Sequence, residues 1–221
     1  MRLRAVVCAL LLAVCLLARQ PVHTKNAMVV AQEPLATDVG VAVLKAGGNA
    51  VDAAVAVGFA LAVTHPTAGN IGGGGFMLVR MADGRTAFLD FREKAPAKAT
   101  RNMYLDAAGK VTKDSLVGWR ASGVPGSVRG FEMAHKKFGH KSWAELVDPA
   151  VKLATDGFPL SYTLSQALKS KATADKLAQF PDSKRIFLSV GFGDKLVQSE
   201  LAETLKRIRD RGASDFYEGE T

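Results

Sequence analysis

The residues whose types are best suited to binding or chemistry are a glycine-rich loop and a single arginine. The loop spans residues 68–75 and ends in four consecutive glycines, and Arg92 follows it, flanked by Asp90 and Glu93. Backbone N–H groups in a glycine loop can cradle an anion. A guanidinium can hold a carboxylate through two parallel hydrogen bonds. The sequence therefore contains two candidate anion sites, one on backbone and one on a side chain.

Both candidates also have plainer interpretations. A P-loop leads into a helix through Lys and then Ser or Thr, whereas this loop leads into a predicted strand without that lysine. We interpret the loop as an unusual backbone route beside a strand, with close approach of a ligand as the alternative. Arg92 could form an ordinary ion pair with a neighbouring acid. Asp90 and Glu93 are a weaker candidate for an acid/base pair, because nothing fixes their separation.

The sequence lacks the patterns that are typical of other catalytic sites. In residues 126–130, Ser127 stands one place too early for a G-x-S-x-G nucleophile elbow. The four histidines have no metal-binding spacing; they are His23, His65, His135 and His140. Both cysteines lie in an N-terminal apolar run. We therefore expect no hydrolytic triad, no metal and no cofactor in this chain.

The N-terminal residues resemble an export signal. Arg2 and Arg4 precede 14 uncharged apolar residues, 5–18, whereas a membrane-spanning helix needs roughly 20. We predict a signal peptide over residues 1–24, a mature segment over 25–221, and no stable membrane span. The expected location is outside the cytoplasm, with the periplasm favoured and full secretion as the alternative.

The composition is that of a folded segment that does not bind nucleic acid. The chain has 221 residues, of which 48% are hydrophobic and 23% charged, close to globular averages. The formal net charge is +8, and loss of the three arginines before residue 25 lowers it to +5. The densest basic group, within 206–211, lies among acidic residues, which is typical of a solvated helix face rather than a nucleic-acid surface.

Helices and hairpins must position Arg92. The pattern predicts a helix over 37–46, ended by two glycines, and a buried apolar helix over 50–63 capped by Asn49. Strands over 76–80 and 86–91 form a hairpin that carries the arginine at its end. Further predictions are a hairpin turn at 106–110, helices over 127–138, 143–155, 162–178 and 199–211, and a strand near 185–190. This order predicts an α+β fold with a helix-covered antiparallel sheet.

Three long strings resemble the large subunit of the γ-glutamyltranspeptidases. They are LKAGGNAVDAAVA from Leu44, THPTAGNIGGGGFM from Thr64 and DFREKAP from Asp90. Weaker similar stretches occur within residues 121–219. The resemblance covers nearly the whole segment after the predicted signal peptide and identifies it as the N-terminal portion of that subunit.

The resemblance implies a fold, a mechanism and one site residue. The family has the N-terminal-nucleophile hydrolase fold, in αββα layers. Its precursor cleaves itself, and the new N-terminal threonine of the small subunit attacks the γ-glutamyl carbonyl of glutathione and related compounds. Arg92 matches the family arginine that binds the glutamyl α-carboxylate. The nucleophile belongs to a Thr-Thr-His motif. The surroundings of Thr64 and His65 match the large subunit instead, and Pro66 departs from the motif, so we assign Thr64 no catalytic role and expect no catalytic residue in this chain.

The implied function is γ-glutamyl transfer and glutathione hydrolysis, with the small subunit of the same precursor as partner. Because the motif of the nucleophile is absent, we expect these residues alone to be inactive and the fold to be incomplete. Two alternatives remain open. The protein could act on another amide, such as a β-lactam side chain or poly-γ-glutamate, or it could be a secreted, non-catalytic carboxylate-binding fragment.

Overall fold

The computed structural model of the protein describes residues 21–221. The helices are α1 (Pro34–Lys45), α2 (Ala50–Thr64), α3 (Ser127–Phe138), α4 (Trp143–Asp156), α5 (Tyr162–Lys169), α6 (Lys171–Leu177), α7 (Pro181–Phe187), α8 (Ser199–Arg211) and α9 (Ala213–Glu218). The strands are β1 (Phe76–Arg80), β2 (Thr86–Asp90), β3 (Phe158–Pro159) and β4 (Lys195–Leu196). Strands β1 and β2 pair antiparallel, as do β3 and β4.

Helix α2 is the centre of the core. Ten of its 15 residues are buried, and it packs against α1, α3 and α4. Phe59 is fully buried, and its ring makes edge-to-face contacts with Phe131 of α3 and Trp143 of α4. The prediction of a core helix here is confirmed, because a helix without a polar stripe is buried by neighbours on several sides.

The β1–β2 hairpin has one buried and one exposed face. Val79 and Leu89 point inward and join the helical core. Alternation along the strands places Phe76, Leu78 and Phe88 on the opposite face, where they are 55%, 79% and 63% exposed. Helices thus cover one side of this hairpin, and its other side carries these three apolar side chains together with Arg80, Thr86 and Asp90.

The C-terminal helices join the core through α4. Helix α8 packs along α4, and the Trp143 indole donates a hydrogen bond of 2.8 Å to the carbonyl of Ile208. Arg209 of α8 also pairs with Asp148 of α4 at 2.8 Å. Hydrogen bonds from Lys152 and Arg209 hold the pKa of the Asp148 carboxyl below its ordinary value. These contacts make α8 part of the same core.

Two sequence-based predictions of secondary structure are wrong. The helix expected over 162–178 is interrupted at Ser170, whose ψ of 138° is not helical and whose hydroxyl donates to the Ala167 carbonyl. The strand expected over 185–190 is occupied largely by helix α7. Pro181 starts that helix at a position where a missing N–H costs nothing, and the short apolar run that suggested a strand is ambiguous in period.

The predicted signal peptide falls mainly on residues 1–20, outside the described residues. Residues 21–24 have no regular structure and are exposed. Across residues 21–221, none of the helices combines the length and apolar character that a bilayer crossing requires.

A buried carboxylate ties the start of α2 to the loop between α3 and α4. Asp52 is fully buried, and its oxygens accept hydrogen bonds from the backbone N–H groups of Asn49 at 2.8 Å, His140 at 3.0 Å and Lys141 at 3.2 Å. Asn49 completes the connection by donating to the Phe138 carbonyl at 2.6 Å. One side chain thus satisfies donors that come from two distant segments.

We predict that Asp52→Asn destabilises the protein by about 2–3 kcal/mol, because the amide nitrogen would face N–H groups that then lack an acceptor. Asp38→Asn is the matched control, since Asp38 is exposed on α1 and its loss should change stability by less than about 0.5 kcal/mol. Urea unfolding of the full-length protein measures both. Equal unfolding midpoints for the two variants would contradict the role of Asp52 in joining the start of α2 to the loop between α3 and α4.

Candidate functional site

Arg92 lies just beyond the end of β2, with an exposed side chain. Its backbone N–H donates to Asp90 Oδ1 at 3.1 Å, which directs that carboxylate to the backbone. Among the ion pairs formed within residues 21–221, none joins the Arg92 guanidinium to a carboxylate. Instead the guanidinium carbon lies 6.0 Å from the centroid of the Phe76 ring. The ordinary ion pair offered as an alternative for Arg92 is therefore not formed in this part of the chain.

The glycine loop holds the backbone that precedes Arg92. Gly75 donates to the Phe91 carbonyl at 3.3 Å, and Phe91 donates back to Gly75 at 3.0 Å, which extends the β1–β2 ladder by one residue pair. A methyl group on Gly74 would approach the Arg92 Cα to 2.8 Å. Only a residue without Cβ allows the two backbones to lie so close. This packing confirms the structural interpretation of the loop.

The first turn of α3 closes the other side of the same segment. The N–H groups of Gly126 and Ser127 donate to the Gly73 carbonyl at 2.7 and 3.0 Å. A methyl group on Gly126 would overlap the Phe91 carbonyl, and one on Gly130 would overlap the Phe91 ring. Phe91 and the residue after it are therefore held between the glycine loop and α3, an arrangement that we call the glycine clamp (Gly73–Gly75, Gly126 and Gly130).

Sequence reasoning did not identify Gly126 and Gly130 as part of this site. The available signal was the small-residue stretch around Pro125, which lies over 30 residues from Arg92 along the chain. The spacing of glycines at the start of a helix does not indicate which other segment of the chain will pack against them. The contact with Phe91 becomes visible only when α3 is packed against β2.

Electrostatic contacts stabilise the first turn of α3. Its N-cap, Gly126, offers no side chain, and Tyr217 of α9 accepts the hydrogen bond of the Arg129 N–H at 3.1 Å instead. Burial raises the pKa of the Tyr217 phenol. Burial also works to raise the pKa of Glu132, but hydrogen bonds from Lys136 and Arg129 outweigh it and hold that pKa below its ordinary value. The clamp is thus anchored to the C-terminal helix.

The remaining candidates do not assemble a second site. The Thr64 hydroxyl is buried and donates to the Ala60 carbonyl at 3.0 Å, as in an ordinary helix interior. His135 lies against Trp143, and its Nε2 is 2.7 Å from the Lys141 carbonyl oxygen. The part of the chain that the structure describes contains no cluster of acids, histidines or cysteines suited to a metal ion.

Comparison with known proteins gives the family. Residues 36–221 match the sequence model of the γ-glutamyltranspeptidases. The chain is 51% identical over 205 residues to the glutathione hydrolase proenzyme of Pseudomonas sp. strain A14, an alignment that covers 90% of this chain and 36% of that protein. It is also 39% identical over 212 residues to the acylase ACY 1 proenzyme of Pseudomonas sp. strain V22, covering 91% of this chain and 38% of that protein. The chain thus spans about a third of the length of these relatives.

The fold agrees with the sequence comparison. The crystal structure of the Helicobacter pylori γ-glutamyltranspeptidase superposes with a TM-score of 0.86 at 47% identity, covering 91% of this chain and 59% of that one. The expected α+β fold of the N-terminal-nucleophile hydrolase type is thereby confirmed for the portion present. A match across residues 36–221 and this level of identity lead to one conclusion: the chain belongs to the γ-glutamyltranspeptidase family.

Proposed function

We propose that the full-length protein is a γ-glutamyltransferase and glutathione hydrolase, and that these residues supply its group for recognising the glutamyl α-carboxylate. The observation that carries the proposal is Arg92, an exposed arginine without an ion pair in the described residues, on a backbone fixed by the glycine clamp. A guanidinium retains its charge at every physiological pH and offers paired donors that match a carboxylate. The names of the curated relatives support glutathione as a substrate.

Arg92 would act by binding and orientation. A carboxylate held by two parallel hydrogen bonds has a fixed direction, so the γ-carbonyl at the far end of the glutamyl group is presented in a defined place. The clamp matters here because a guanidinium on a loose loop would bind with less precision. Nucleophilic attack would come from the threonine of the small subunit, whose Thr-Thr-His motif is absent from this sequence.

The partner that we propose is the small subunit of the same precursor. The exposed face of the β1–β2 hairpin supports it, since Phe76, Leu78 and Phe88 form an apolar surface on a sheet whose other face is already covered. Apolar patches of this kind mark contact surfaces. Such a contact would place a second layer over the hairpin next to Arg92. Because the nucleophile would come from that subunit, we propose that the 221 residues alone lack activity.

The test is to produce the full-length protein and, separately, residues 25–221, and to assay both with glutathione and with a γ-glutamyl anilide, with and without an amino-acid acceptor. We expect turnover and self-cleavage only in the full-length protein, and faster release of anilide with the acceptor. A full-length protein that is processed but cleaves no γ-glutamyl amide would contradict the proposal.

A second candidate function is hydrolysis of a different amide. The similarity to an acylase proenzyme favours it, and the candidates are β-lactam side chains and poly-γ-glutamate. A substrate panel separates the two functions, because a γ-glutamyltransferase should prefer donors with a free α-carboxylate. The non-catalytic alternative predicts heat on titration with glutamate but no turnover of any amide in the panel.

We further propose that residues 1–24 direct export. Fractionation of cells that produce the full-length protein, followed by N-terminal sequencing, tests this. A mature N-terminus between residues 18 and 25 in the periplasmic fraction or the medium is the expected result, and an uncleaved cytoplasmic protein would contradict it.

A further inference from the structure

We infer that Phe76 positions the Arg92 guanidinium and so acts as a positioning residue for recognition of the substrate carboxylate. This inference rests on the function proposed for Arg92. Its starting point is the contact between the two side chains, with the guanidinium carbon 6.0 Å from the ring centroid. At this distance the negative face of an aromatic ring attracts a cation.

The strand register places the two residues together. Phe76 pairs with Asp90 across the hairpin, and the ladder continues by one further pair, Gly75 with Phe91. Because side chains alternate between faces, Phe88, Asp90 and Arg92 project to the same side as Phe76. Arg92 is therefore a diagonal neighbour of Phe76, within reach of a long side chain.

A second aromatic ring supports the first. The rings of Phe76 and Phe88 stack with centroids 5.5 Å apart and planes at 19°. Phe88 is itself a diagonal neighbour of Phe76, because its partner across the hairpin is Leu78. The stack restricts the rotation of the Phe76 side chain and gives the guanidinium a defined surface.

An aromatic support suits an arginine that must bind an incoming anion. A neighbouring carboxylate would neutralise the guanidinium and occupy its N–H donors, and the carboxylate of Asp90 instead accepts a hydrogen bond from the Arg92 backbone N–H. A ring holds the cation without accepting a conventional hydrogen bond, so the donors remain available for a ligand. Phe76 thus limits the motion of Arg92, and no carboxylate of residues 21–221 forms an ion pair with it.

The experiment compares Phe76→Leu, Phe76→Tyr and Phe88→Leu in the full-length protein with a γ-glutamyl anilide. Phe76→Leu should raise KM about two- to fivefold, the lower part of the range for cation–π contacts, with little change in kcat. Phe76→Tyr keeps the ring face and should restore the wild-type KM. Phe88→Leu removes a ring of the same apolar face that does not contact Arg92, so a smaller rise in KM is expected.

A double-mutant cycle with Arg92→Ala separates positioning from general packing. If Phe76 acts through Arg92, Phe76→Leu should cause no further loss of kcat/KM once Arg92 is removed. Equal losses in both backgrounds, or an unchanged KM for Phe76→Leu in the wild-type background, would overturn the inference.

Calorimetry with L-glutamate distinguishes failure of this inference from failure of the proposed function. Should the wild-type protein bind glutamate without cleaving γ-glutamyl amides, the proposed function fails, and the inference still requires a two- to fivefold weaker Kd in Phe76→Leu. A wild-type protein that neither binds glutamate nor turns over a γ-glutamyl donor would overturn both.

Discussion

Replacement of Arg92 by alanine is expected to lower kcat/KM for a γ-glutamyl donor by about 30- to 5,000-fold in the full-length protein, since removal of one partner of a charged, hydrogen-bonded pair costs about 2–5 kcal/mol. Most of the loss should appear in KM. Arg92→Lys retains the charge but not the planar pair of donors, so an intermediate loss is expected. Steady-state kinetics with the anilide donor measure both variants.

Arg85→Ala is the matched control for charge. Arg85 lies in the turn at the opposite end of the hairpin, where it is exposed and paired with Asp83 at 2.7 Å. Exposed ion pairs contribute little to stability, and this one is distant from the proposed carboxylate site. Its removal should leave kcat/KM unchanged. An Arg92→Ala enzyme as efficient as Arg85→Ala would exclude Arg92 as the carboxylate-binding group.

Replacement of Gly126 by alanine is expected to destabilise the protein by about 1–3 kcal/mol and to reduce kcat/KM by about 10²-fold. The added methyl group would overlap the Phe91 carbonyl, so either α3 or the backbone before Arg92 must move. Displacement of a binding group by about 1 Å can cost two orders of magnitude in rate. The φ angle of Gly126 is −111°, which alanine adopts without strain, so the expected effect comes from space alone.

The matched control is Gly72→Ala, in the glycine loop next to the clamp. A methyl group there would have no neighbour within 4 Å, and stability and kinetics should both stay near wild type. Thermal unfolding and anilide kinetics on the two variants test the clamp. If Gly126→Ala behaves like Gly72→Ala, the clamp does not set the position of Arg92.

The elements around the site could be predicted because their signals are local. Asn49 with Asp52 gives a capping box that starts α2, and the hairpin turn separates two strands whose apolar residues alternate. The predicted boundaries of α3 and α8 agree with the structure for the same reason: amphipathic period and helix ends are properties of neighbouring residues. The three long strings that begin at Leu44, Thr64 and Asp90 resemble the family closely enough to indicate it.

Local signals failed where two structures compete for one segment. The apolar run 186–188 fits a strand as well as a helix. In the structure, helix α7 begins at Pro181 and includes the first two residues of this run. Residues 162–178 have a continuous helical pattern, yet Ser170 interrupts it. In both places the apolar pattern by itself fits two structures, and the helix end lies at a single residue, Pro181 or Ser170, that the pattern does not weigh.

The sequence by itself determined which residues could bind a carboxylate, which elements carry them and which family the chain resembles, because these follow from residue type, spacing and period. Only the tertiary structure decided how Arg92 is held. The contacts of Gly126 with Phe91, and of Phe76 with Arg92, join residues that are 35 and 16 positions apart. Such contacts depend on how α3 packs on the hairpin and on strand register, and spacing along the chain does not encode either distance.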